Sequence, residues 1–205
     1  MKIRCVQIAL LSITTLALPA SADAVFHIWI EAPAEVQAGS TFTASVWAEA
    51  SGSILNEGNG AFNGFRANIM ASGVSGVFST ARIPAMAALS HGTPSNNSLL
   101  DVIGWNDLVL GWISLDNPIH LFEVDITLEP SVLGEINLDV FPTSGFHLVT
   151  WWLNYEISLD WIGDSDPGST RIITPATIRV IPAPGALAIV CIAPLWLLQR
   201  RRTGA

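Results

Sequence analysis

The chain has 205 residues, half of them hydrophobic, with 17 acidic side chains against nine lysines and arginines and a formal net charge of −8. Residues 25–181 carry sixteen acids against four arginines, a net −12, and the two ends carry the compensating +4. A body this acidic, with neither a lysine cluster nor an arginine stripe, does not engage phosphate backbones, which excludes nucleic-acid binding as a leading reading. Its length suits one domain, large enough to bury roughly 70% of its unfolded-chain surface.

Lys2 and Arg4 precede a mostly apolar run over residues 6–18, then Pro19 and two overlapping small-x-small sites, Ala20-Ser21-Ala22 and Ala22-Asp23-Ala24. This is the order of a secretory signal, so residues 1–24 are expected to form a signal helix removed by signal peptidase after Ala22 or Ala24. A buried N-terminal helix is the alternative, and Thr14-Thr15 and Pro19 weaken it. Cys5 lies ahead of the apolar run and so cannot become the lipidated first residue of a mature chain. With Cys191 in the tail, the body has no cysteine and no disulfide to staple it.

Along the body, apolar and polar residues alternate with period two. Phe42, Ala44, Val46 and Ala48 alternate with Thr41, Thr43 and Ser45; Phe122, Val124, Ile126 and Leu128 with Glu123, Asp125 and Thr127; Ile136, Leu138 and Val140 with Glu135, Asn137 and Asp139; Ile178 and Val180 with Thr177 and Arg179. Each pattern predicts a half-buried strand, with Val46, Val124, Ile126 and Leu138 inside and Thr43, Asp125 and Asn137 outside. Residues 25–30, 64–70, 99–105 and 108–115 are further strand candidates. Gly- and Asn-rich stretches at 56–60 and 92–97 supply turns. Only residues 81–89 could form a helix, a short one interrupted by Pro84. Nine or ten strands without long helices predict an all-β antiparallel sandwich or barrel over residues 25–181, with a sandwich of jelly-roll or immunoglobulin type preferred. The segments Val36-Gln37-Ala38-Gly39-Ser40-Thr41-Phe42-Thr43-Ala44 and Gly64-Phe65-Arg66-Ala67-Asn68-Ile69 resemble, faintly, the opening strands of cohesin-like and related carbohydrate-binding sandwiches.

Residues 182–205 read as a separate tail. Pro182-Ala183-Pro184 precedes a charge-free run over residues 185–198, and Arg200-Arg201-Arg202 follows it. Fourteen residues fall short of the roughly 20 of a full membrane-spanning helix, although counting back to Val180 lengthens the run. The arginines would remain cytoplasmic, which leaves the body on the side to which the signal sends it. This combination resembles the PEP-CTERM sorting signal read by exosortases, with Ala183 where the family usually has glutamate. The resemblance implies transient insertion in the inner membrane, exosortase processing near Pro182, Ala183 and Pro184, and delivery to the cell surface or extracellular matrix. A plain one-helix anchor predicts the same topology without removal of the tail.

Chemistry is sparse. His27, His91, His120 and His147 lack zinc-site spacing, no G-x-S-x-G elbow or phosphate loop is present, and the body has no cysteine nucleophile. Carboxylates are abundant, so a glycosidase pair drawn from distant strands is conceivable on number alone. Asp160, Asp164 and Asp166, around a glycine-containing turn, are candidate calcium ligands; a solvated turn closed by Asx bonds is the plainer alternative. In residues 147–161 the odd positions are mostly apolar, which puts Trp151 inside and places Trp152 outside beside Thr150 and Asn154. Trp47 shares its face with Thr43 and Ser45. Outward indoles beside polar groups suit stacking on a sugar ring, making Trp152, Asn154 and Trp47 candidate ligand-binding residues; burial beneath a neighbouring strand is the alternative. The leading functional reading is a non-catalytic, exported structural or adhesive protein. A carbohydrate-binding module that recognises extracellular polysaccharide is the second, and a small glycosidase the third.

Overall fold

The computed structural model describes residues 24–56, 60–73, 76–106, 114–156 and 160–183. Thirteen strands are formed among them: β1 (Ala24–Glu31), β2 (Glu35–Gln37), β3 (Thr41–Ser51), β4 (Ala61–Gly73), β5 (Gly76–Phe78), β6 (Ala87–Ser95), β7 (Ser98–Trp105), β8 (Ile119–Leu128), β9 (Gly134–Pro142), β10 (Val149–Trp152), β11 (Trp161–Gly163), β12 (Ser169–Thr174) and β13 (Ala176–Ile181). They build two sheets. The smaller has the order β12-β1-β3-β8-β5, and the larger runs β11-β10-β4-β9-β13-β2, with β7 also on β4 and β6 on β7.

The alternation read from the sequence sets the inner faces. In β3 the side chains of Phe42, Ala44, Val46 and Ala48 are buried, and Val124, Ile126, Ile136, Leu138 and Ile178 are fully buried on β8, β9 and β13. Thr43 and Asn137 are exposed, whereas Asp125 is half-buried beneath Arg82. Phe65 of the larger sheet stacks on Phe122 of the smaller, ring centroids 5.6 Å apart, so the two inner faces interlock at the centre of the core.

Most pairings are antiparallel, as expected, but β1 pairs with β12 and β2 with β13 in parallel. The two terminal segments run side by side in the same direction, and a proline stands where each one changes sheet. Pro33, between β1 and β2, and Pro175, between β12 and β13, each lack the N–H that would continue a ladder, so both ends of the domain change sheets there. The terminal strands thus cross together from the smaller sheet to the larger and close the sandwich.

The candidate helix at 81–89 does not form. Arg82 bridges to Glu123 in an isolated β-bridge, and β6 begins at Ala87. Pro84 lacks the donor a helix would need, and Arg82 is held instead by the carboxylates of Glu123 (2.6 Å) and Asp125 (2.7 Å). The strand expected at 108–115 falls largely outside the described residues. So do the signal segment up to Asp23, with Ala22, and the tail from Pro184 onward, with Arg200, Arg201 and Arg202; the two flanking helices expected there are therefore not described. Among the described residues no helix is long and apolar enough to cross a membrane. Ala24 is the buried first residue of β1, while Pro182 and Ala183 follow β13.

Candidate functional site

The thirteen-residue β4 is flanked on one side by β10 and then β9, and on the other by β7. One row of paired residues therefore runs across four strands of the outer face: Trp105, Gly64, Thr150 and Gly163. Gly64, with Gly104 beside it, leaves the row low there, while the His147 ring covers Gly163 at the far end. A Cβ on Gly64 would lie 2.8 Å from the Gly104 carbonyl oxygen and 3.1 Å from the Trp105 Cβ, and a Cβ on Gly163 would strike the His147 ring. Large side chains rise around this floor and enclose a cleft of about 240 Å³.

Its walls are aromatic and open to solvent: Trp105 is 44% exposed, Trp161 48% and Phe146 53%. Exposed indoles at this density are unusual on a surface without a binding role, since rings of this size are mostly covered. Polar groups sit between them. Arg66 pairs through Nε and Nη2 with the Asp101 carboxylate, at 2.7 and 3.1 Å, and its guanidinium lies 3.9 Å from the centroid of the Phe146 ring. Thr143 also donates to Asp101, and the Arg66 pair holds the Asp101 carboxyl below its ordinary range. Asp101 itself has φ +64°, a left-handed conformation that aspartate tolerates better than most residues. The Thr150 hydroxyl donates to the Gly64 carbonyl, and His147 packs edge-on against Trp161, centroids 5.4 Å apart.

Ser165, His147 and Asp166 come together at the rim, with Ser165 Oγ 2.7 Å from His147 Nδ1. They do not make a hydrolytic triad. Asp166 Oδ1 stands 3.5 Å from His147 Nε2, and its other oxygen accepts the Gly163 N–H at 2.6 Å, so the carboxylate closes a turn. Asp164 is buried, accepts the Leu148 N–H and pairs with Arg171 at 3.0 Å. The carboxylates bordering the cleft are thus committed to arginines or backbone donors. Asp160, on the far side of Trp161, is exposed, and the three candidate calcium ligands do not form a shared ligand set: among the described residues no group of three His, Cys, Asp or Glu side chains could hold a metal ion.

Of the three candidate ligand-binding residues, Trp152 and Trp47 lie on the faces expected of them but are covered, and Asn154 lies off the strand. Trp152 lies on the face opposite Trp151 but is only 7% exposed. It stands between Ala61 of β4 and Trp161 of β11, so neighbouring strands flank it on both sides, and the exposed indole is one strand over. Asn154 follows β10, where its side-chain oxygen accepts the Glu156 N–H; β10 and β11 pair antiparallel and are two strands, not one. Trp47 does lie on the outer face of the smaller sheet, but both its ring faces are taken. His120 of β8 stacks on one side at 4.4 Å and Trp29 of β1 on the other at 6.3 Å, within a ladder that His27 extends. A ring stacked on both faces has none left for a sugar.

Reading from sequence missed Trp105, Phe146, Trp161 and Arg66 as one group. Trp161 falls two residues before Gly163 and Trp105 ends a strand pattern, yet nothing local says that β4 brings these ends together.

No protein-family model matches the chain, and no curated protein matches it. Solved structures do. The seventh ScaB type I cohesin from Pseudobacteroides cellulosolvens aligns with a TM-score of 0.53 at 10% identity, covering 77% of this chain and 93% of the cohesin. The sixth cohesin of scaffoldin B from Acetivibrio cellulolyticus, solved in complex with a mutant Cel5 dockerin, aligns with a TM-score of 0.51 at 8% identity over 76% and 99% of the two chains. The likeness of residues 36–44 and 64–69 to cohesin-like strands agrees with this. At such low identity the comparison establishes architecture, and the described domain is an all-β sandwich with the fold of cohesin modules.

Proposed function

We propose that the protein is an exported, non-catalytic module of the cell surface or extracellular matrix that adheres through the cleft on the outer face of its larger sheet. The observation that carries this reading is the ring of exposed aromatic walls, Trp105, Phe146 and Trp161, around a glycine floor whose neighbouring carboxylates are all engaged. A glycosidase needs one carboxyl free to give a proton and another free to accept one or attack. Asp101 and Asp164 are each neutralised by an arginine, and Asp166 caps a turn. Binding is what remains for such a surface to do. That one cohesin of similar fold is solved with a dockerin fits a scaffold used for non-covalent recognition.

Export by residues 1–24 and sorting by residues 182–205 complete the proposal. In a host with an exosortase, the secreted protein should lack the peptide containing Arg200, Arg201 and Arg202 by mass spectrometry; retention of that peptide in the membrane fraction would favour a plain anchor. Adhesion is tested by the binding of fluorescently labelled secreted protein to matrix prepared from the producing cells. The Trp105→Ala/Trp161→Ala double variant should lose binding while keeping its melting temperature within a few degrees. Equal binding by the variant would remove the cleft from the proposal.

A further inference from the structure

We propose that the occupant of this cleft is a neutral saccharide, an inference that rests on the reading of the cleft as the adhesive surface. Three observations point to this ligand class. The walls are flat rings with exposed area, and the C–H face of a pyranose stacks on such rings, whereas a peptide needs a longer apolar groove or an open strand edge. The volume, about 240 Å³, is below the ~300–1,000 Å³ of pockets for drug-sized ligands, which suits the insertion of single sugar rings. Trp105 on β7 and Trp161 on β11 stand on strands three spacings apart, about 14 Å, so a short run of linked rings can meet more than one wall.

Charge selects among saccharides. Arg66 is the cationic side chain lining the cleft, and Asp101 already neutralises it by two hydrogen bonds. Around it lies a body of net charge −12, which repels uronates and sulfated polymers. Asn63, Thr150 and His147 line the same cleft, and the Asn63 amide, the Thr150 hydroxyl oxygen as an acceptor and the Nε2 edge of His147 are suited to sugar hydroxyls. The surface is therefore built for an uncharged glycan.

The test uses the secreted protein on an array holding neutral glucans, mannans and galactans beside uronic-acid and sulfated polymers, with titration calorimetry of any binder. Expected is binding to at least one neutral glycan, weakened about tenfold or more by Trp161→Ala and by Trp105→Ala and largely kept by Trp161→Phe, which preserves a stacking ring. Preference for the acidic polymers, or neutral-glycan binding that neither alanine variant weakens, would overturn the assignment. Matrix adhesion is followed in parallel, before and after periodate oxidation of matrix diols. If adhesion needs the two tryptophans but survives periodate and no glycan binds, the saccharide is wrong and a protein partner takes its place in the same cleft. If adhesion ignores the tryptophans altogether, the adhesive reading of the cleft fails with it.

Discussion

Trp152 and Trp161 are cross-strand partners in the β10–β11 pair, and they divide two roles: Trp152 is 7% exposed and Trp161 48%. Trp151, next in the chain, faces the core, where its ring meets Phe62 edge-on at 5.0 Å and lies over Gly60.

Alanine at these positions should therefore separate stability from binding. Trp151→Ala removes a large core ring and should cost about 3–5 kcal/mol, visible in a urea titration as a lowered midpoint. Trp161→Ala removes a half-exposed ring outside the core and should cost about 1 kcal/mol or less. A loss at Trp161 as large as that at Trp151 would mean that the outer indole supports the fold and not a ligand.

The different legibility of these positions has a physical cause. Alternation is a property of one strand, so Val46, Val124 and Leu138 could be placed inside from their own neighbours in sequence, and the structure buries all three. Exposure on the outer face depends on the strands alongside. Alternation places Trp152 on the correct face, but its cover comes from β4 and β11, and Trp47 loses both ring faces to β1 and β8. The cleft is harder still to foresee. Gly64, Thr150 and Gly163 share a row because of pairing register, including a shift between Thr150 and Trp151 that no local pattern announces.

His120 provides a pH test. Its ring is stacked on Trp47, its Nε2 is buried without a hydrogen-bond partner, and loss of solvent holds its pKa below the ordinary 6.5, against the opposing pull of Glu123 and Glu31. The folded state therefore prefers the neutral ring. The stabilisation is complete above the unfolded value of 6.5 and declines as the pH falls through the lower folded value. Between pH 7.5 and 5 the melting temperature should drop more for the parent protein than for His120→Phe, which stacks but does not titrate. Identical pH profiles would show that His120 is not the group responsible.

Asp164 and Arg171 give a third test. The Asp164 side chain is inaccessible to solvent, and Arg171 Nη1 meets it at 3.0 Å. Arg171→Ala strands a buried carboxylate and should cost about 1–3 kcal/mol. Adding Asp164→Asn should recover much of this, because the amide oxygen can still accept the Leu148 N–H without a charge. Since Arg171 already occupies this carboxylate, millimolar calcium should leave the melting temperature unchanged. A rise reversed by EDTA would require that Asp160, Asp164 and Asp166 rearrange around an ion.

The start of the mature chain can be argued from the first strand. Two small-x-small sites would permit cleavage after Ala22 or after Ala24. Ala24 opens β1, is completely buried, pairs with Ser169 of β12 and donates its N–H to the Gly168 carbonyl at 3.4 Å. Cleavage after Ala24 would remove that residue and put a charged amine at the head of a core strand, beside buried apolar surface. Cleavage after Ala22 leaves Asp23 as a polar first residue and keeps the strand whole. N-terminal sequencing of the secreted protein should therefore read Asp23-Ala24-Val25. A first cycle of valine would show that the peptidase takes the second site and that β1 forms without Ala24.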